Sequence, residues 1–212
     1  IKIFPSWDCL PYDRISPNSE ISSRRLSLLS DLAQNASSKY IILTTANAAT
    51  QRVPKRSILS SATFKAEVGQ RIDLNLLYSF LSKMGFSKTS TVSEPGDYAV
   101  RGGIIDIFAP GEIGAIRLDL FGDVLDGIRQ FDPISQKTVS KMLKVKLSPV
   151  SEVIFDEASI ARFRKNYRKE FGASHTKDIL YESVSSGNKY QGVEHWLPFF
   201  HEKLETVFDY LP

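Results

Sequence analysis

The sequence contains little cysteine and no long apolar run. Cys9 is the single cysteine among 212 residues, which excludes internal disulfides and multi-cysteine zinc sites and fits a reducing cytosol. No apolar stretch approaches the roughly 18 residues that a transmembrane helix needs. The first residues also lack the basic and apolar regions of a secretory signal. We therefore expect a cytoplasmic protein that does not interact with membranes.

The sequence also lacks a marked excess of either charge. It has 27 basic and 24 acidic residues, for a net charge of +3, whereas nucleic-acid binders usually concentrate a basic excess on one face. Its hydrophobic content of 42% is enough to bury the core of one large domain or two ordinary ones. The first residue is Ile1 and not methionine, so we expect a part of a longer protein.

Residues 1–62 alternate between strand and helix patterns. IKIF predicts a short strand, and EISSRRLSLLSDLAQN has apolar residues at helical spacing, with Ser19 as the expected N-cap. KYIILTT predicts a buried strand, because a short β-branched run is typical of parallel sheets. Two strands alone make a poor sheet. We therefore predict one part of a doubly wound, P-loop-like α/β domain that continues elsewhere.

Residues 63–149 have a different pattern. DLNLLYSFLSKMGF predicts an amphipathic helix that begins after Asp73 and ends at Gly85. It is followed by the predicted strands SKTSTV, YAVRGGIIDIF, AIRLDLF, VLDGIRQF and MLKVKLS. An antiparallel meander covered by the helix is the natural arrangement. Residues 150–212 return to helical patterns, so the prediction is an α+β module inserted into a split α/β domain.

No glycine-rich phosphate loop is present in the sequence. VIFDEAS resembles the acidic half of a nucleotide site, in which Asp156 and Glu157 would hold magnesium. The alternative is that Asp156 caps the helix that follows. Without the phosphate loop we favour the cap, and we predict no catalytic residue and no cofactor for this chain.

The three histidines and the single cysteine are the candidate metal ligands and the candidate nucleophile of the sequence. His175, His195 and His201 lie near the C-terminus, but the six-residue spacing of the last two fits no common helical metal pair. Cys9 has no histidine near it in the sequence, so nothing indicates an activated nucleophile. We expect ordinary surface or core residues and no metal site.

A basic helix is predicted between residues 156 and 171. Its basic residues are Arg162, Arg164, Lys165, Arg168 and Lys169. With Arg24 and Arg25 they could follow a phosphate backbone, which would make the chain a DNA-binding fragment. The alternative, which we favour, is a solvated face opposite Ile160, Phe163 and Tyr167.

The strand AIRLDLF is more informative. Its period of two sends Ile116, Leu118 and Leu120 to the core and Arg117, Asp119 and Phe121 to the opposite face. An aromatic among charged residues is typical of protein interfaces. The alternative is that Phe121 lies under a loop while Arg117 pairs with Asp119 or Asp126.

Two glycines in VRGG imply a bulge or a close backbone approach beside Arg101.

The stretch YAVRGGIIDIFAPG with IRLDLFGDVLDGIRQFDPISQKT resembles the module shared by UvrB, a nucleotide-excision-repair protein, and the bacterial transcription-repair-coupling factors. FPSWDCLPYDRISPNSEISSRRLSLL is similar in both. QRVP and GVEHWLPFFHEKLETVFDYLP resemble the coupling factors specifically. The resemblance covers nearly the whole chain and indicates a UvrB-like part of a large protein.

The resemblance implies a function. Intact coupling factors are ATP- and magnesium-dependent DNA translocases that displace RNA polymerase stalled at damage and recruit UvrA. Their motor and their contacts with polymerase and double-stranded DNA would lie outside this chain. The inserted module would bind UvrA through Arg101, Arg117 and Phe121. Leu120 departs from the family, which commonly has phenylalanine there, and Gly103 replaces an aspartate common in UvrB.

Overall fold

The computed structural model describes residues 1–34, 39–112, 114–172 and 177–211. In these residues the protein is a mixed α/β structure with three sheets, in which most strand pairs are antiparallel. None of the helices described is both long and apolar enough to cross a membrane. His175 lies outside the described residues, so the prediction for this histidine is not addressed.

The N-terminal part contains one short parallel sheet flanked by helices. Its elements are β1 (Lys2–Phe4), α1 (Ser19–Gln34), β2 (Ile42–Thr44), α2 (Ala46–Thr50) and α3 (Arg56–Ser61). β1 pairs with β2 in parallel, with Lys2 opposite Ile42. This two-stranded sheet does not confirm the doubly wound, P-loop-like architecture that the sequence predicts.

Two local predictions for this part are wrong. β2 is not buried, since Leu43 is 54% exposed. The reason is that β2 pairs with β1 in a sheet of two strands, so the side chains of β2 are not covered as they would be inside a larger sheet. Ser19 is not the N-cap of α1. Asn18 takes this role, because its Oδ1 accepts a hydrogen bond from the Glu20 amide at 2.8 Å.

The middle of the chain forms a six-stranded sheet, a separate strand pair and one covering helix. Its elements are β3 (Phe64–Glu67), α4 (Leu74–Lys83), β4 (Ser87–Lys88), β5 (Asp97–Arg101), β6 (Ile104–Ile107), β7 (Ala115–Phe121), β8 (Val124–Phe131), β9 (Thr138–Met142) and β10 (Lys144–Leu147). β5 to β9 follow one another as an antiparallel meander, in which β5 to β8 correspond to predicted strands and β9 was not predicted. β3 and β10 pair with each other, and Phe64 lies opposite Leu147.

The helix α4 covers the inner face of the large sheet, as predicted. Asp73 caps it by accepting hydrogen bonds from the amides of Asn75 and Leu76, and Gly85 follows its end with a φ of +88°. Leu77 and Leu81 are buried against the inward side chains of the sheet strands. This packing fixes which face of the sheet remains open on the other side.

Three details of the strands differ from the prediction. YAVRGGIIDIF is two strands and not one, because Gly102 and Gly103 form a hairpin turn between β5 and β6. Gly102 has a φ of +58°, which a first turn residue needs in this tight connection. SKTSTV is reduced to the two residues of β4, which pair with β5 in parallel. MLKVKLS, predicted as one strand of the meander, begins at the end of β9 and continues as β10, which pairs with β3 and lies outside the large sheet.

The C-terminal part is helical over the residues described. Its elements are α5 (Glu157–Phe171), α6 (Ile179–Ser185), α7 (Leu197–Phe200) and two short 3-10 helices, Val193–Trp196 and Val207–Tyr210. Asp156 caps α5 in a capping box with Ser159, which confirms its predicted structural role. Phe163 and Tyr167 on α5 are buried in an aromatic cluster.

Polar contacts connect the N- and C-terminal parts. The Arg25 side chain on α1 is 0% exposed, and its Nε donates to Glu152 Oε1 at 2.8 Å. Its Nη1 donates to the Pro5 carbonyl at 2.8 Å. Val53 and Glu205 form an antiparallel bridge, and Tyr210 donates its hydroxyl proton to the Pro54 carbonyl. These bonds place segments before and after the middle part in one assembly.

Candidate functional site on the outer face of the sheet

The outer face of the large sheet is the side opposite α4, and it carries Arg101, Asp106, Arg117, Asp119, Phe121 and Arg129. The period of two in β7 is confirmed, because Ile116 and Leu118 are buried in the inner core. Leu120 is half-buried against that core. The odd-numbered side chains of β7 therefore point away from α4.

An aspartate at the centre of this face binds two arginines. Asp106 on β6 is 1% exposed and lies opposite Ala99 on β5 and Arg117 on β7. Arg117 donates from Nε and Nη2 to the two carboxylate oxygens at 2.6 and 2.8 Å. Arg101 donates from its own Nη2 to Asp106 Oδ2. The alternative pairing of Arg117 with Asp119 or Asp126 is therefore wrong.

The two arginines differ in exposure. The Arg101 side chain is 49% exposed and that of Arg117 is 15% exposed. The hydrogen bonds that Arg117 donates to Asp106 raise the pKa of the Arg117 guanidinium above its ordinary value, against the opposing effect of burial. Arg117 also lies over the ring of Phe131, with Cζ 4.5 Å from the ring centroid. Arg101 is thus the more accessible cation.

The neighbouring pair on this face is Asp119 with Arg129. Arg129 on β8 donates from Nε and Nη2 to the two oxygens of Asp119 at 2.7 and 2.6 Å. These bonds raise the pKa of the Arg129 guanidinium. Asp119 therefore pairs with Arg129, and Arg117 pairs with Asp106. Each acidic side chain on β6 and β7 of this face is paired with arginine.

Phe121 stands at the edge of this charged surface. It is the last residue of β7, immediately before the turn at Gly122 and Asp123, and it is 84% exposed. No loop of the described residues covers it, so the alternative of a covered ring is wrong. The turn at Gly102 and Gly103 lies beside it, because the Leu120 amide donates to the Gly103 carbonyl at 2.7 Å. Arg101 and Phe121 therefore lie at the same end of the sheet.

This arrangement fits binding better than catalysis. An exposed ring can fill a pocket on a partner, and a guanidinium fixed at one edge can donate further hydrogen bonds to carboxylate or carbonyl groups. In the residues described, no group of three or more potential metal ligands lies together. The face offers shape and charge at fixed positions.

Comparisons with known proteins agree with this geometry. Residues 64–153 match the family model described as "UvrB interaction domain". The chain is 35% identical over 211 residues to the transcription-repair-coupling factor of Rickettsia typhi, covering 100% of this chain and 19% of the relative. By sequence, the chain is a relative of the transcription-repair-coupling factors.

Other coupling factors give the same result. The Haemophilus influenzae protein is 36% identical over 99% of this chain, and the Escherichia coli K12 protein is 35% identical over 97% of it. In both cases the chain spans 18% of the length of the relative. The match contains all three predicted site residues, but their role in binding stays a prediction.

The basic helix α5 is a weak alternative site. Arg162 donates to the Phe200 carbonyl at 2.5 Å, and Arg164 donates to the Ser185 carbonyl. Arg168 donates back to the Arg164 carbonyl at 3.1 Å. Arg25 is buried and bonded to Glu152, so its proposed place in a DNA-binding surface is wrong. Arg162 and Arg164 therefore connect α5 to other segments of the chain, whereas Arg168 is exposed and bonds within its own helix.

The structure brings Cys9 close to His195, which the sequence did not indicate. Cys9 Sγ lies 3.8 Å from His195 Nε2. Burial raises the pKa of the Cys9 thiol, and Asp8, Asp13 and Glu194 raise it further, so the reactive thiolate is disfavoured. His201 is buried elsewhere against the Glu152 carbonyl, and burial lowers its pKa. The proximity of Cys9 to His195 therefore does not make Cys9 an activated nucleophile.

Proposed function

We propose that this chain provides the UvrA-binding face of a transcription-repair-coupling factor. Arg101, Arg117 and Phe121 are the contact residues in this proposal. The longer protein would recruit UvrA to RNA polymerase stalled at DNA damage and would carry its ATP-dependent DNA motor outside this chain. The observation that carries the proposal is the open ring of Phe121 beside two positioned arginines.

Three features support this proposal. The residues lie inside the segment matched by the UvrB interaction domain. The coupling factors of Rickettsia typhi and Escherichia coli K12 match 100% and 97% of this chain. A phenylalanine this exposed on a strand end contributes little to the inner core, so a partner offers the simplest reason for an apolar ring there.

Binding of UvrA by the chain and its alanine variants tests the proposal. Phe121→Ala and Arg101→Ala should each weaken binding by about 1 to 4 kcal/mol, the range for interface anchors, with little change in melting temperature. Calorimetry or surface plasmon resonance measures the first quantity and thermal unfolding the second.

Matched controls are available on other surfaces. Phe208 is an exposed phenylalanine in the last 3-10 helix, and Arg24 is an exposed arginine on α1 that pairs with Glu20. Phe208→Ala and Arg24→Ala should leave UvrA binding unchanged. If the site variants bind as tightly as these controls, the proposed face does not bind UvrA.

A further inference from the structure

Asp106 is a buried carboxylate on the outer face of the sheet, beside a cluster of buried apolar residues that includes Ala99 and Phe131. It is 1% exposed, while Arg101 on β5 and Arg117 on β7 reach it from the strands on either side. Removing a carboxylate from water costs free energy unless charged or hydrogen-bonding groups pair with it. Both arginines supply them, so one side chain fixes the position of two cations.

This contact restricts the two arginines before any partner arrives. Arg117 is held at Nε and Nη2, which defines the plane of its guanidinium. Arg101 uses Nη2, and its side chain is half exposed. Long side chains lose rotamer freedom when a complex forms, and fixing them in advance reduces that cost.

We propose that Asp106 is a positioning residue for UvrA binding, acting through Arg101 and Arg117 and making no contact with UvrA itself. This inference rests on the proposed function. Asp106 is too deeply buried to reach a partner, whereas the two guanidinium groups lie between it and the surface. Asp106 thereby sets the spacing and orientation of the cations next to Phe121.

The test is a double-mutant cycle on the whole chain with UvrA. Asp106→Asn keeps the shape of the side chain and removes its charge, and it should weaken UvrA binding by about tenfold. In an Arg101→Ala background the same substitution should weaken binding by about threefold or less, because one of the groups it positions is gone. Thermal unfolding in parallel shows that each variant is folded at the assay temperature.

A control separates positioning from general loss of stability. Ile105 is the neighbour of Asp106 on β6 and is buried in the inner core. Ile105→Val lowers the melting temperature from the opposite face and should leave UvrA binding unchanged. If Asp106→Asn binds like the parent, or if its effect multiplies fully with that of Arg101→Ala, the positioning role is wrong.

A second measurement remains decisive if Asp106→Asn does not fold. In the parent chain without UvrA, the Nε proton of Arg117 should exchange with water at least about tenfold more slowly than that of exposed Arg24. Equal exchange overturns the inference. If the parent chain does not bind UvrA, the proposed function is wrong. If the parent chain binds UvrA but the effects of Asp106→Asn and Arg101→Ala multiply fully, only the role of Asp106 is wrong.

Discussion

Arg25 is a charged residue that belongs to the core. Its guanidinium lies 4.3 Å from the ring centroid of Phe4 and pairs with buried Glu152. The helical spacing of Ile21, Arg25, Leu29 and Leu32 places all four on one side of α1, which is a signal that a count of basic residues misses. The pair joins a helix near the N-terminus to the segment that follows the inserted strands.

Removal of this arginine should destabilise the protein strongly. Arg25→Met should lower the free energy of unfolding by about 3 to 5 kcal/mol, because it leaves the Glu152 charge buried without its partner. Arg24→Met, one residue earlier and exposed, should cost about 0.5 kcal/mol or less. Urea unfolding measures both values.

A second variant checks the cause of that loss. Arg25→Met combined with Glu152→Leu removes both charges, and it should recover a large part of the stability lost by Arg25→Met alone. A double variant as unstable as the sum of the two single variants would mean that packing around Arg25, and not the buried charge, dominates.

At the scale of elements, patterns of period two located strands better than turns. The bounds of β7 and β8 agree with the predicted segments, because alternating burial along a strand requires alternating apolar and polar residues in the sequence. The hairpin at Gly102 and Gly103 was missed, since a turn and a bulge both need glycine. The close backbone approach predicted there is confirmed, because a Cβ on Gly103 would lie 2.6 Å from the Leu120 carbonyl oxygen.

This close approach predicts unequal effects of two glycine substitutions. Gly103→Ala should destabilise the sheet by about 1 to 3 kcal/mol, because the backbone must shift to admit the methyl group. Gly127→Ala should change stability by about 0.5 kcal/mol or less, since its Cβ would meet Asp119 Oδ2 at an ordinary 3.5 Å. Thermal unfolding of both variants checks the difference, and equal losses would contradict the tight packing of the turn.

At the scale of the whole molecule, the buried apolar side chains of the described residues form separate hydrophobic cores. The core under the large sheet uses residues between 64 and 150. The N-terminal core combines residues 4–59 with Val207 and Tyr210, and the aromatic core uses residues 153–204. The predicted division into residues 1–62, 63–149 and 150–212 itself stays a prediction.

The candidate site was predictable in part. The outward direction of Arg117 and Phe121 follows from the period of β7 alone. The shared contact of both arginines with Asp106 depends on the register of three strands, and short-range patterns do not encode that register. The sequence therefore predicts the candidate residues Arg101, Arg117 and Phe121, whereas the structure shows that Asp106 accepts hydrogen bonds from both arginines.

The inserted module should fold and bind UvrA by itself. Residues 63–149 contain the large sheet, α4 and most of their common core, and the paired strands β3 and β10 bring the two ends of the segment together. The isolated segment should therefore unfold cooperatively and retain UvrA in a pull-down, while its Phe121→Ala form should not. Circular dichroism establishes folding before binding is measured. A segment that is unfolded alone, when the whole chain binds UvrA, would show that α1 or the residues after Leu147 are part of the folding unit.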